Sequence, residues 1–169
     1  MKGFYPNNVR ADGPVRVGER WFLKDAQATE DWARRWAVHL VPGLVITLQG
    51  ALGAGKTAFV RGVLRGLGVT GTVRSPTYAW LETYELSRLY CYHFDFYRVT
   101  DEGTVEEMGF RECFRQDSLC FVEWPERVSN WLPRADVAWH LAPQDEGRCL
   151  ILHAATPRGL ATVQPMDGC

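Results

Sequence analysis

Apolar residues change their spacing several times along the chain, and each change predicts an element. In "DAQATEDWARRWAVHLVPG", Ala33, Trp36, Ala37 and Leu40 recur at helical spacing. Asp25 or Thr29 can cap that helix, and Pro42-Gly43 ends it. "LVITL", Leu44 to Leu48, is a short, β-branched, unbroken apolar run, the pattern of a strand buried on both faces. Phe59, Val60, Val63, Leu64 and Leu67 then form one face of a second helix, which Gly68 stops. "YAWLETYEL" and "RLYCYHFDFYR" read as two strands joined by a turn near Ser87-Arg88. In the second of these, Tyr92, Phe94 and Phe96 share one face, and His93, Asp95 and Tyr97 share the other. "TVEEMGFRECF" predicts a helix, and "SLCFVEW" a buried strand with Glu123 at its carboxyl end. "DVAWHLAP" and "CLILHAA" predict a closing antiparallel pair. Residues 1–20 and 156–169 show no periodicity. They are expected to be a flexible lead-in and a frayed tail around one domain over residues 21–155.

Composition adds few constraints. The 169 residues are 46% apolar and 23% charged, which suits one ordinary globular domain with a sizeable core. The formal net charge of -1 means that nothing global demands a nucleic-acid or membrane partner. No apolar run approaches a membrane span, and the start has no stretch suited to a signal peptide, so a cytoplasmic protein is expected. Five cysteines, an odd number with no C-x-x-C pair, are expected to be reduced thiols.

The strongest chemical signal lies between the first buried strand and the second helix. Gly50 to Thr57 reads G-A-L-G-A-G-K-T and fits G-x-x-x-x-G-K-[ST], the phosphate-binding loop. By composition such a match arises by chance at on the order of 10⁻⁵ to 10⁻⁴ per position. The strand before it and the helix after it make chance rarer still. Backbone N–H groups of Gly50, Gly53, Ala54, Gly55, Lys56, Thr57 and Ala58 are the candidate phosphate donors. Lys56 supplies a point charge for the β- and γ-phosphates, and the Thr57 hydroxyl a ligand for Mg²⁺.

Magnesium also needs a carboxylate, directly or through water. Glu123, at the end of a buried strand, is the first candidate, against the plainer reading of an exposed strand-end glutamate. Asp95 is the second: it could order the attacking water or hold the metal's water shell, or else form an ion pair with Arg98 or Arg74. Trp124 could stack on a base or fill core space. In "RSPTY", where switch segments of such proteins lie, Thr77 could sense the γ-phosphate, or the stretch could be a plain turn. His93 shares the Asp95 face. There is no N-K-x-D guanine-reading motif, which favours adenine.

"GALGAGKTAFVRGVLRGLG", "VRSPTY", "YHFDFYR", "EEMGF" and "CFVEWPER", in this order and spacing, resemble the TsaE family, the ATPases of bacterial tRNA threonylcarbamoyladenosine modification. The resemblance runs from about Leu23 to about Ala154. It implies a P-loop NTPase-like three-layer α/β fold, with a mixed parallel and antiparallel sheet flanked by helices. It implies ATP or ADP, Mg²⁺, and a TsaB–TsaD-type complex as partner, with tRNA met only through that complex. Lys56 then binds phosphate, Thr57 and Glu123 hold the metal, and Asp95 is the essential strand aspartate. Trp124 lies beside the nucleotide, Thr77 is the switch-like threonine and Thr29 lies near the base. The sequence departs from the family at Ala51, where an aspartate is usual, and at Ala33, where glycine is frequent.

Two other functions fit the loop alone: an independent small-molecule kinase, and a nucleotide-gated binding module with little hydrolysis. A kinase usually carries an arginine-bearing lid, and "RVTDEGTVEEMGF" is too acidic to be one. A transition-state cation is expected from Arg98 or from a partner.

Overall fold

A computed structural model of the chain describes residues 18–87 and 89–168. In chain order its elements are β1 (Arg20–Leu23), α1 (Ala26–Ala37), β2 (Val45–Gln49), α2 (Lys56–Gly66), β3 (Leu81–Leu86) and β4 (Leu89–Asp95). There follow α3 (Glu102–Glu107), β5 (Ser118–Glu123), β6 (Val137–Gln144), β7 (Gly147–Ala155) and α4 (Pro157–Val163). The seven strands form one sheet in the order β1-β7-β6-β2-β5-β4-β3. The inner four run parallel, whereas β1, β7 and β3 pair antiparallel. The carboxyl ends of β2, β5 and β4 therefore meet at one edge, with Leu48 beside Glu123 and Glu123 beside Asp95. Ligands of open α/β sheets bind at that edge.

Two cores flank the sheet. Leu44, Ile46 and Leu48 point to the side where α1 and α2 pack, meeting Trp32, Trp36, Phe59, Val60, Val63 and Leu64. Phe94, Phe96, Cys120 and Val122 point to the other side and meet Val105, Phe110, Val128 and Trp131. The tryptophan-rich helix thereby finds its purpose. Trp139 of β6 receives Trp32 and Trp36 edge-on, at centroid separations of 5.3 and 5.4 Å. Such edge-to-face pairs each add about 0.5–1.5 kcal/mol beyond simple burial.

Asp25, not Thr29, caps α1, accepting the Ala28 N–H at 2.7 Å. The predicted strands and the helix after the loop form where expected. The acidic stretch after β4 is broken at Gly109, and a separate 3-10 turn covers Phe110–Cys113. Two expectations are corrected. Arg20–Leu23, split between the lead-in and the domain, is an edge strand paired with β7. The stretch after Thr156 is not a frayed tail but α4, followed by a 3-10 turn. Thr156 caps α4 through the Gly159 N–H, Leu160, Val163 and Met166 enter the core, and the Trp36 indole donates to the Thr162 carbonyl at 3.1 Å. The rest of the expected lead-in, residues 1–17, and Arg88 of the expected turn lie outside the described residues. Among the described residues no helix is long and apolar enough to cross a membrane.

Cys91, Cys113, Cys120 and Cys149 are free thiols. Burial pushes Cys91 and Cys120 up to about 12. Both should remain protonated at pH 8, and only a thiolate attacks a disulfide reagent. In native protein they should react with a chromogenic disulfide at least about 100-fold more slowly than after denaturation. Equal rates in the two states would show that β4 and β5 are not packed as described.

Candidate nucleotide site

The loop leaves β2 at Gln49 and enters α2 at Lys56. Its backbone requires glycine at two positions. Gly50 has φ +143° and a Cβ there would lie 2.4 Å from the Leu141 carbonyl oxygen; Gly55 has φ +104° at the cap of α2. The Lys56 side chain is buried and folds back over the loop, donating to the carbonyls of Gly50 at 2.7 Å and Ala51 at 2.9 Å. Its ammonium also lies 4.1 Å from the Trp124 ring centre, within cation–π range. Burial pulls the Lys56 ammonium below its ordinary range, and Glu123, then Glu126 and Asp95, oppose that shift.

β5 carries Glu123 to the same point. Its Oε1 accepts from the Thr57 hydroxyl at 2.8 Å and lies 2.8 Å from His93 Nε2 on the neighbouring strand. Glu123 and His93 are both buried, so the strand-end carboxylate is not the exposed one that periodicity allowed. Trp124 follows in a left-handed conformation, φ +58°, uncommon for a bulky residue. The ring is half-buried beside Tyr97, 4.9 Å between centres. The structure thus puts Lys56, Thr57, Glu123 and Trp124 in one contiguous group.

Asp95 ends β4 and makes no ion pair with Arg98 or Arg74. Its Oδ2 accepts from Ser75 and, at 3.1 Å, from Thr77, while its Oδ1 accepts the Tyr97 N–H at 3.1 Å. The Ser75 and Thr77 hydroxyl oxygens also lie 2.7 Å apart, so the single Thr77 proton is shared between Ser75 and Asp95. "RSPTY" is accordingly tied to the strand end through its hydroxyls and is more than a plain turn. Arg98 turns away onto the exposed Tyr78 ring, 4.4 Å from its centre. Thr29, expected near the base, is fully buried, and its hydroxyl donates to the Asp25 carbonyl at 3.0 Å.

Ala51, with Gln49, Gly50, Trp124, Glu126, His140 and His153, lines a cleft of about 390 Å³ beside the loop. Burial and the neighbouring His153 hold the His140 imidazole below its ordinary range. His140 lies in no recognisable pattern, and Glu126, although it belongs to "CFVEWPER", is not singled out there as a cleft residue. His93 is legible through the face that it shares with Asp95.

No group of three or more His, Cys, Asp or Glu side chains among the described residues converges as a metal cage. Magnesium on a nucleotide takes most of its ligands from phosphates and water and needs one or two hard oxygens from the protein. The Thr57 and Glu123 oxygens, already in contact, fit that need.

Strand, glycine loop, helix and an adjacent strand-end carboxylate define a P-loop NTPase-like α/β protein. Comparison with known proteins narrows this. The family described as "Threonylcarbamoyl adenosine biosynthesis protein TsaE" matches residues 23–150. The Haemophilus influenzae TsaE is 41% identical over 122 residues, covering 72% of this chain and 77% of the relative. The Treponema pallidum TsaE is 39% identical over 128 residues, 76% and 94% of the two chains. The crystal structure of Bacillus subtilis YdiB superposes with a TM-score of 0.76 at 28% identity, covering 92% of this chain and 97% of the other. The chain belongs to the TsaE family, whose role is in the biosynthesis of threonylcarbamoyladenosine in tRNA.

Proposed function

We propose that this protein is the Mg²⁺-dependent ATPase subunit of tRNA threonylcarbamoyladenosine formation, slow alone and set in motion by a TsaB–TsaD-type complex. The observation that carries this reading is the 2.8 Å bond between the Thr57 hydroxyl and Glu123, which couples the phosphate loop to a buried strand-end carboxylate. Loop N–H groups and Lys56 bind the β- and γ-phosphates of ATP. Thr57 and Glu123 would hold the metal, which would neutralise charge on those phosphate oxygens. Asp95 orders a water for in-line attack; the water oxygen bonds to the γ-phosphorus as the bridging P–O bond breaks, one water proton stays on the phosphate and the other passes to solvent, and ADP and phosphate leave. Ser75 and Thr77, hydrogen-bonded to Asp95, make the 74–78 segment responsive to the γ-phosphate. Trp124 closes the phosphate end, and the tRNA is met by the partner complex rather than by this chain.

Steady-state ATP hydrolysis by the purified protein, alone and with TsaB–TsaD from the same source, tests this. Turnover well below the usual enzymatic range of about 1 s⁻¹ or more is expected alone, rising at least about tenfold with the pair. ATP binding with no response to the pair would overturn the partner role. Fast transfer to an alcohol acceptor by the isolated protein would replace it with a kinase.

A further inference from the structure

Arg148 stands at the start of β7, opposite Leu23 of β1 and Pro143 of β6. Its side chain crosses to the phosphate loop. A Cβ on Gly55 would lie 2.6 Å from Arg148 Nη1, 3.4 Å from its Cδ and 3.5 Å from its Cζ. The guanidinium therefore rests against the cap of α2, where the helix presents its positive end. Among the described residues no carboxylate pairs with it, and its Nε is buried without a hydrogen-bond partner. Lys56, the other cation of the loop, has Glu123, Glu126 and Asp95 to offset its charge. A buried donor on an unpaired guanidinium, set against a helix N-terminus, is costly unless an anion completes the arrangement.

We infer that Arg148 is the second cation of the phosphate site, gripping the polyphosphate chain of the nucleotide from the β7 side while Lys56 holds it from the Gly50–Trp124 side. This rests on the nucleotide reading above and supplies the cation that Arg98, lying on Tyr78, does not. An arginine suits the task because its planar fork offers several donors to phosphate oxygens at once. It also gives Gly55 a second reason to be glycine, since any side chain there would displace the guanidinium.

Calorimetric titration of the full chain with ADP, pyrophosphate and adenosine tests the inference. R148A should weaken ADP and pyrophosphate alike by about 10- to 100-fold, the range expected for a lost charge-assisted contact, and leave adenosine unchanged. R148Q, which keeps a polar but shorter and uncharged side chain, is measured in parallel with melting curves and should lose affinity in the same pattern. Unchanged binding of ADP and pyrophosphate in both variants would overturn the inference. So would loss of ADP affinity with pyrophosphate intact, which would move Arg148 to the base or ribose. Wild-type protein that binds neither ADP nor pyrophosphate would instead sink the nucleotide reading, and this one with it.

Discussion

Glu123→Ala should reduce ATP turnover by at least about 100-fold while ADP binding without magnesium changes by no more than severalfold. The asymmetry follows from what the carboxylate touches. It meets Thr57 and His93, whereas Lys56 and the loop carbonyls of Gly50 and Ala51 bond one another without it. Phosphate binding therefore keeps its donors, and the loss falls on the metal-holding pair. The folded protein also weakens. The Thr57 hydroxyl and His93 Nε2 lose their shared acceptor in a buried place, at about 1–3 kcal/mol. Lys56 loses the largest of the charges that oppose its desolvation, so its ammonium moves further below the ordinary range. Glu123→Gln separates these effects. It keeps an acceptor for Thr57 and fills the same volume, so it should melt closer to wild type yet hydrolyse as poorly as alanine. Turnover, magnesium titration of ADP binding and melting curves on both variants check this. Wild-type turnover in Glu123→Gln would remove Glu123 from the chemistry.

The chemistry of the site was legible where one local pattern carries it. Gly50 to Thr57 announces its ligand because loop geometry and charge are encoded in eight consecutive residues. The strand-end positions of Glu123 and Asp95 were legible through strand period: each ends an alternating or apolar run, and parallel pairing of β4, β5 and β2 brings those ends together. Arg148 left no such trace. It is one arginine just after a polar stretch, at the start of β7, and only the pairing of β7 with β6 beside β2 carries it to Gly55. The misread ends of the chain have the same cause. "RWFL" is too short to show a period and becomes a strand by hydrogen bonding to β7. "PRGLATV" is a seven-residue helix, too short to hold by itself, and it is secured by the Thr156 cap and by Trp36. Of the two caps that the sequence offers for α1, the structure uses Asp25, and the Thr29 hydroxyl bonds back to the Asp25 carbonyl.

Gly62→Ala should destabilise the protein although it improves helix propensity. In an exposed helix that exchange gains about 1 kcal/mol. Here a Cβ on Gly62 would lie 2.4 Å from the Glu30 carbonyl oxygen, 2.8 Å from Glu30 Cα and 2.9 Å from the Ala33 Cβ. Two of those atoms are backbone of α1, so no side-chain rotation relieves the clash; α1 and α2 must move apart. Overpacking of this kind costs about 1–3 kcal/mol even where side chains can yield, and rigid backbone places this site at or above the upper end. The clash outweighs propensity, leaving a net loss of about 2 kcal/mol or more. In a domain of this size that lowers the melting temperature by at least about 4–8 °C. Ala33 sharpens the conflict, since its methyl group already occupies part of the space between the helices. Gly71→Ala is the control: nothing lies within 4 Å of a Cβ there, so its melting temperature should stay within about 2 °C of wild type. A Gly62→Ala protein that melts at or above the wild-type temperature would mean that the two helices cross with more room than described. The seating of Lys56 and Thr57 on α2 would then need another support, because that crossing fixes the helix whose first residues they are.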